Sequence, residues 1–135
     1  MLDRTIEENA LKTTAKFLGK GLICFSPLAQ GLLSDRYLFG IPEDSRVKTD
    51  GRFLKESQID DSLLEKLRKL NDIAGNRNQT LAEMSLAWLL KDDEVTSVLI
   101  GASKPSQILD NIKAVSNTSF TQEERQRIDE ITGKL

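Results

Sequence analysis

Two short apolar segments constrain this chain most, because they are the only strand candidates in its 135 residues. Residues 22–25 form a continuous apolar run between a glycine and Ser26, and residues 95–100 are largely β-branched and end at Gly101. A continuous apolar run is typical of a strand buried on both faces, as in a parallel sheet. Two parallel strands do not normally stand alone, because their faces and edges need cover. The sequence therefore predicts part of a larger sheet.

The remaining sequence is mainly helical, with apolar residues at helical spacing and capping signals at several segment starts. Thr80 and Thr121 are each followed three residues later by glutamate, which is the spacing of a capping box, and Pro105 suits a first helical turn. An aspartate of the pair 60–61 is expected to cap a helix that Gly75 ends. The predicted helices cover residues 5–18, 60–74, 80–91, 105–115 and 121–131. Strands that alternate with helices favour right-handed crossovers in a parallel α/β fold.

A long irregular segment, from residue 27 to about residue 58, follows the first strand. It contains two of the three prolines, three glycines and several basic residues. Connections in α/β units usually have about 2–6 residues, and much longer ones are commonly functional. The segment therefore indicates a site near the end of the first strand.

Composition excludes several functional classes. A formal charge of −2 gives no overall field that would attract nucleic acid or an anionic membrane. No apolar run approaches the roughly 20 residues of a membrane span, and the first residues do not resemble a signal peptide. Cys24 is the only cysteine, so an intramolecular disulfide is impossible, and we expect a reducing, cytoplasmic setting.

The chain has no histidine, which excludes imidazole bases and the nucleophile systems that depend on them. No metal site is expected either, since one thiol without histidine cannot form the usual zinc centre. Any catalysis would depend on carboxylates, lysines, the single Tyr37 or a bound cofactor.

Two segments that follow the predicted strands carry a resemblance to a known family. Residues 25–31 (Phe-Ser-Pro-Leu-Ala-Gln-Gly) and 101–111 (Gly-Ala-Ser-Lys-Pro-Ser-Gln-Ile-Leu-Asp-Asn) resemble the cofactor-binding segments after the last two strands of aldo-keto reductase barrels. Residues 32–46 resemble the long cofactor loop of the branch that holds potassium-channel β subunits and L-glyceraldehyde 3-phosphate reductases. The resemblance covers nearly the whole chain. It implies the C-terminal portion of a (β/α)8 TIM barrel, with about two parallel strands, five helices and an incomplete barrel, in one domain over residues 1–135.

The resemblance implies that this portion binds NADP(H). The residues that it assigns to the cofactor are Phe25, Ser26, Pro27, Leu28, Ala29, Gln30, Arg36, Asp44, Arg46, Gly101, Ala102, Ser103, Gln107, Asp110 and Asn111. Backbone N–H groups ahead of a helix at Pro105 would suit a phosphate, Gly101 would let the backbone approach closely, and guanidinium groups match phosphate oxygens. Asp110 stands where the family usually has glutamate.

The family's reaction reduces an aldehyde or ketone by hydride transfer, and the resemblance places its catalytic groups in the first half of the barrel. Residues 1–4 resemble the segment just after the sixth strand, so no catalytic residue is expected here, and the isolated chain is expected to be inactive. A small aldehyde or ketone would be the substrate of the complete protein.

Alternative interpretations remain open from sequence. Pro27 and Gly31 would suit an ordinary turn, Ser103 would suit a helix cap, and Arg36 and Arg46 would suit solvated surface charges. Two other functions also stay open: a non-catalytic nucleotide-binding or regulatory module of the channel β-subunit type, and a helical interaction protein with a vestigial nucleotide site. Exposed sheet edges predict self-association or pairing with a complementary N-terminal half.

Overall fold

The computed structural model describes residues 1–43, 45–49 and 54–133. The α-helices in these residues are α1 (Thr5–Glu8), α2 (Leu11–Phe17), α3 (Arg46–Thr49), α4 (Asp61–Asn76), α5 (Leu81–Leu90), α6 (Pro105–Ile112) and α7 (Gln122–Thr132). The strands are β1 (Ile23–Cys24) and β2 (Ser97–Val98), and short 3-10 turns lie at Ala29–Gly31, Asp35–Tyr37, Glu56–Gln58 and Lys113–Ser116. Among the described residues, no helix combines the length and the apolar character that crossing a membrane requires.

The two strands pair in parallel, as predicted. Ile23 is opposite Ser97, Cys24 is opposite Val98, and the Leu99 N–H donates to the Cys24 carbonyl at 2.8 Å. At the entry to the pair, the Leu22 N–H donates to Thr96 Oγ1 at 3.2 Å.

Gly21 lies against β2 at the same entry. A Cβ atom at this position would lie 2.8 Å from Thr96 Oγ1, closer than real Cβ contacts come. The absence of a side chain at Gly21 therefore lets the chain enter β1 beside Thr96.

Helices cover only one face of the strand pair. Val98 and Ile100 are half-buried and pack against the core, whereas the side chains that alternate with them along the pair are exposed. Ile23 is 64% exposed, Phe25 80% and Leu99 56%. The expectation that residues 22–25 are buried on both faces is therefore wrong for this chain, because nothing in the described residues covers the second face.

The main core lies between α4, α5 and α7. Leu67, Leu70, Met84 and Ile128 are almost completely buried within it. Trp88, on the same helix as Met84, meets the Phe120 ring edge-on, with 5.0 Å between the ring centroids. Met84 and Trp88 are thus packing residues.

Side-chain caps begin the three core helices. Asp60 accepts from the Leu63 N–H at 2.8 Å, and Thr80 Oγ1 accepts from the Glu83 N–H at 3.1 Å. Thr121 Oγ1 accepts from the Glu124 N–H at 3.1 Å. These contacts confirm the predicted helix starts, since each cap satisfies an N–H group that the helix leaves unpaired.

Arg77 holds three parts of this core together. Its guanidinium donates to Gln79 Oε1 at 2.8 Å, to Glu124 Oε2 at 2.8 Å and to the Asn117 carbonyl at 3.0 Å. The group also lies 3.8 Å from the centroid of the Phe120 ring. A buried arginine with this many partners joins the end of α4 to the segments before α5 and α7.

Three predicted helices have different bounds in the structure. The helix predicted over residues 105–115 ends at Ile112 and is followed by a 3-10 turn. Residues 5–18 form two helices, α1 and α2, because Ala10 adopts the left-handed backbone with φ 59°. Asn9 Oδ1 accepts from the Leu11 N–H at 3.1 Å and begins the second helix. The other helix continues through Gly75 to Asn76, so Gly75 does not end it as predicted.

The long segment after β1 is irregular, as expected, but it is anchored in the core. Among its described residues, the buried side chains are Leu32, Leu33, Tyr37, Leu38, Ser45, Val47 and Leu54. The Leu38 carbonyl also accepts from Arg68 Nε on α4 at 3.2 Å. The segment is therefore a packed layer over the helices rather than a free surface loop.

Candidate functional site

The two segments singled out in the sequence leave the sheet at the same end. Because β1 and β2 are parallel and in register, the chain runs from Cys24 into Ser26 beside the point where it runs from Val98 into Gly101. Ligands bind at this end of the strands in barrels of parallel strands. The fold therefore brings the two candidate segments to one rim.

The first segment has an unusual concentration of left-handed backbone. Ser26 has φ 49°, Ala29 has φ 47°, Gln30 has φ 60° and Gly31 has φ 94°. Such conformations cost non-glycine residues of order 1–3 kcal/mol each and are frequent at functional sites. Gln30 Nε2 donates to Ser26 Oγ at 3.5 Å across the turn, while Phe25 and Ser26 are exposed.

The second segment is exposed throughout residues 101–110 and leads into α6. Gln107 Oε1 accepts from the Ser103 N–H at 2.8 Å, from Ser103 Oγ at 3.2 Å and from the Lys104 N–H at 3.3 Å. An oxygen that carries partial negative charge thus lies at the positive end of the helix, where anions bind in other proteins.

The fold does not require a glycine at position 101. Its φ lies outside the left-handed region, and a Cβ atom built there would meet nothing within 4 Å. Its neighbour Ala102 is also exposed. The absence of a side chain at Gly101 therefore leaves open space at the rim, through which a ligand can approach the backbone.

The remaining predicted site residues differ in how far the structure describes them. Arg36 is exposed on the turn Asp35–Tyr37, between two buried stretches of the long segment. Asp44 and the side chain of Arg46 lie outside the described residues. The Asp110 carboxylate accepts from Lys113 Nζ, in the 3-10 turn that follows α6, at 2.8 Å, and this hydrogen bond raises the pKa of Lys113. Asn111 is half-buried.

Two residues with reactive side chains are unsuited to chemistry on a ligand. Tyr37, the only tyrosine, is 1% exposed inside the core. Partial burial raises the pKa of the Cys24 thiol, which disfavours the nucleophilic thiolate. Neither group is available at the rim as an acid or a nucleophile.

A buried cluster of charged groups around Trp88 was not found from the sequence. Arg4 donates to Glu7 at 2.9 Å and to Asp129 at 2.8 Å, and it lies 4.9 Å from the Trp88 ring. Lys91 Nζ lies 4.2 Å from the same ring. Only the Glu7 position, three residues after Arg4, gives a helical pairing signal in the sequence. Because both cations have carboxylate partners, we interpret the cluster as structural.

Comparison with known families gives one match over almost the whole chain. The family model described as the aldo/keto reductase family matches residues 1–132.

Curated relatives include L-glyceraldehyde 3-phosphate reductase of Escherichia coli K12, which is 45% identical over 133 residues. A Schizosaccharomyces pombe protein described as a voltage-gated potassium channel subunit beta is 36% identical over 134 residues. Each match covers 96% of this chain but only 38% and 39% of the respective relative. The chain therefore spans less than two fifths of their length.

Solved structures give the same result for the fold. An aldo-keto reductase from Bacillus halodurans, in its holo form, matches 96% of this chain at 31% identity with a TM-score of 0.68. A thermostable aldo-keto reductase in complex with the inhibitor epalrestat matches with a TM-score of 0.64 at 24% identity, and this likeness concerns the fold alone. The chain covers 39% and 36% of those two structures. It has the fold of a part of a TIM barrel, with no closed barrel in the described residues.

Proposed function

The chain belongs to the aldo-keto reductase family, and from this membership we propose that it is the NADP(H)-binding part of a reductase of aldehydes or ketones. The observation that carries the proposal is the parallel register of β1 and β2, which directs both candidate segments to one rim. The related Bacillus halodurans enzyme was solved in its holo form, which supports the proposal that this fold binds a cofactor. This chain contributes binding and orientation in the proposed function, and the groups that catalyse come from elsewhere.

The residues at the rim fit a dinucleotide phosphate. The N–H groups of Ser103 and Lys104 point at an acceptor oxygen, which Gln107 supplies from its own side chain. Open space at Gly101 adds to a surface suited to an anion, and the proposal also assigns Arg36, an exposed residue of the turn Asp35–Tyr37, to this ligand. When bound, the cofactor supplies the hydride of the reaction.

Carbonyl reduction also needs a proton donor. The rim offers no side chain of the type that the family uses for this step. The resemblance implies a tyrosine as the family's proton donor, and Tyr37, the only tyrosine of this chain, is packed in the core. The chain also has no histidine to assist such an acid. We therefore expect the isolated chain to bind NADPH without turning over glyceraldehyde 3-phosphate, and measurable turnover by the chain alone would contradict this expectation.

The variant Gly101→Val tests cofactor binding at the rim. A side chain at Gly101 fills space outside the fold, so we expect unchanged thermal unfolding and at least tenfold weaker NADPH binding by calorimetric titration. Gly75→Val is the matched control, because a Cβ atom at Gly75 also meets nothing within 4 Å but lies on α4. Equal affinities for the two variants would contradict the proposal, as would an unmodified chain that binds no NADPH.

A second candidate function is a non-catalytic nucleotide-binding or regulatory module, which the channel-subunit relative favours. NADPH binding is common to both candidates. They differ in the complete protein, where the first requires carbonyl reduction and the second requires a partner whose activity depends on the bound nucleotide.

A further inference from the structure

The turn formed by residues 26–31, which we call the rim turn, combines backbone strain with an exposed outer side. Ser26, Ala29 and Gln30 have φ angles of 49°, 47° and 60°. Strain of this kind persists only where the surrounding structure holds it in place. Ser26 is exposed, whereas Leu28 and Ala29 pack against the core. The contacts that hold the rim turn are therefore to be sought on its inner side.

Backbone hydrogen bonds close the rim turn on itself. The Ala29 N–H donates to the Ser26 carbonyl at 3.0 Å. The N–H groups of Gly31 and Leu33 both donate to the Leu28 carbonyl, at 2.9 and 3.1 Å. These bonds join the two ends of the turn, and Gly31 is the residue at which the chain leaves it for the long segment.

Two side chains of the long segment contact Gly31, which itself has φ 94°. Ser34 Oγ donates to the Gly31 carbonyl at 2.6 Å. A Cβ atom built at Gly31 would lie 3.6 Å from Tyr37 Cε2, so the tyrosine ring lies close to this side of the glycine. Tyr37 is 1% exposed and belongs to the core. A hydrogen bond and a packed ring thus connect the end of the rim turn to the core.

We propose that Ser34 and Tyr37 are positioning residues of the cofactor site, which fix the rim turn from its inner side before the ligand binds. The inference rests on the proposed function, because the turn carries the proposed cofactor residues Ser26 and Gln30, whereas Ser34 and Tyr37 are not among them. A backbone that is fixed in advance loses less conformational freedom on binding, and this difference appears as affinity.

The variant Ser34→Ala tests the hydrogen bond to Gly31. It removes the donor at a half-buried position, and we expect NADPH binding to weaken by about fivefold or more in a calorimetric titration. Ser34→Thr keeps a hydroxyl and should bind within about twofold of the unmodified chain. Ser116→Ala is the matched control, because Ser116 Oγ donates to the Lys113 carbonyl, also three residues earlier, at 2.7 Å beyond the far end of α6. It should leave the affinity unchanged.

Amide hydrogen exchange of the ligand-free chain measures the rim turn itself. In Ser34→Ala, the N–H groups of Gly31 and Leu33 should exchange about tenfold faster or more, whereas that of Leu67 on α4 should not change. A contribution of Ser34 to stability alone would speed exchange in α4 as well and would leave the NADPH affinity of the folded chain unaltered.

Two variants of Tyr37 test the packed ring. Tyr37→Phe keeps the ring and should keep the NADPH affinity within about twofold. Tyr37→Leu removes the ring beside Gly31, and it should weaken NADPH binding and speed exchange of the Gly31 N–H as Ser34→Ala does. Because Tyr37 is buried, thermal unfolding of the leucine variant sets the temperature at which it is folded, and its titration is made below that temperature.

Unchanged NADPH affinity in Ser34→Ala would overturn the proposal, whether or not its amides exchange faster. Equal losses in Ser34→Ala and Ser34→Thr would do so too, because the hydroxyl would then have no part in the effect. An unmodified chain that binds no NADPH would contradict the proposed function and the positioning together. Normal binding by the unmodified chain and by Ser34→Ala would contradict the positioning alone.

Discussion

The helical layer and the strand pair differ in how completely each buries its apolar side chains and pairs its polar groups. Around α4, α5 and α7, apolar side chains are buried, the helix starts are capped, and the charge of Arg77 is paired. At β1 and β2, large apolar side chains face solvent, and the following turn holds several left-handed residues. The difference indicates that stability resides in the helices, while the strand end is organised for what binds to it.

Replacement of Arg77 should give the largest loss of stability. Arg77→Ala removes a buried guanidinium and leaves the Glu124 carboxylate without its cationic partner, so we expect the unfolding free energy to fall by about 4 kcal/mol. Urea denaturation measures the change. Arg127→Ala, an exposed position on α7, is the control and should change stability by less than about 0.5 kcal/mol. Equal losses in the two variants would show that the buried contacts of Arg77 do not stabilise the helical layer.

A matched pair of leucines tests the comparison directly. Leu67→Ala, in the helical core, should cost about 3 kcal/mol, because the cavity it leaves is fully enclosed. Leu99→Ala, on the exposed face of the strand pair, should cost less than about 0.5 kcal/mol in the isolated chain. Denaturant midpoints of both variants measure the two losses. If Leu99→Ala lost as much stability as Leu67→Ala, the comparison between the two regions would be wrong.

The side-chain cap of α5 should contribute less to the unfolding free energy than Arg77 or Leu67. Thr80→Ala removes the acceptor for the Glu83 N–H, and we expect a loss of about 1 kcal/mol. Thr80→Ser retains the hydroxyl and should stay near the original stability. A similar loss in both variants would show that the hydroxyl is not the stabilising group.

The smallest expected effect is on how stability depends on pH, through Glu124. Partial burial by itself would raise the pKa of Glu124, but hydrogen bonds from the Thr121 backbone and from Arg77 outweigh it and lower the pKa below its ordinary value near 4.5. The stabilisation is therefore present above that value and is lost as the pH falls through the lower folded-state pKa. Glu124→Gln should flatten the decline of Tm below about pH 5. An unchanged decline would mean that other carboxylates cause it.

The sequence predicts those parts of the fold that depend on local chemistry. The caps at Thr80 and Thr121 follow from residue types at short spacing. The parallel pairing of two apolar runs follows from their alternation with predicted helices. The break at Ala10 was not predictable, because alanine favours helix and its left-handed conformation depends on tertiary context. The exposure of Ile23 was missed for a related reason, since burial depends on tertiary neighbours that the described residues do not provide.

For the candidate site, the sequence predicts the location better than the contacts. Order and spacing place two segments after two strands, and the parallel register brings them to one rim. The contact of Gln107 with the Ser103 N–H was not predicted, because it depends on a side-chain rotamer. The role of Arg77 was also missed, because Asn117 and Glu124 are far from it in sequence.

The close approach at Gly21 has a consequence for how this protein can evolve. Any larger residue there must displace the hydroxyl of Thr96, which in turn holds the Leu22 N–H. Substitutions at positions 21 and 96 are therefore coupled, and one that is harmful alone becomes acceptable only after its neighbour has changed. Homologous chains that keep this strand entry should vary at the two positions together.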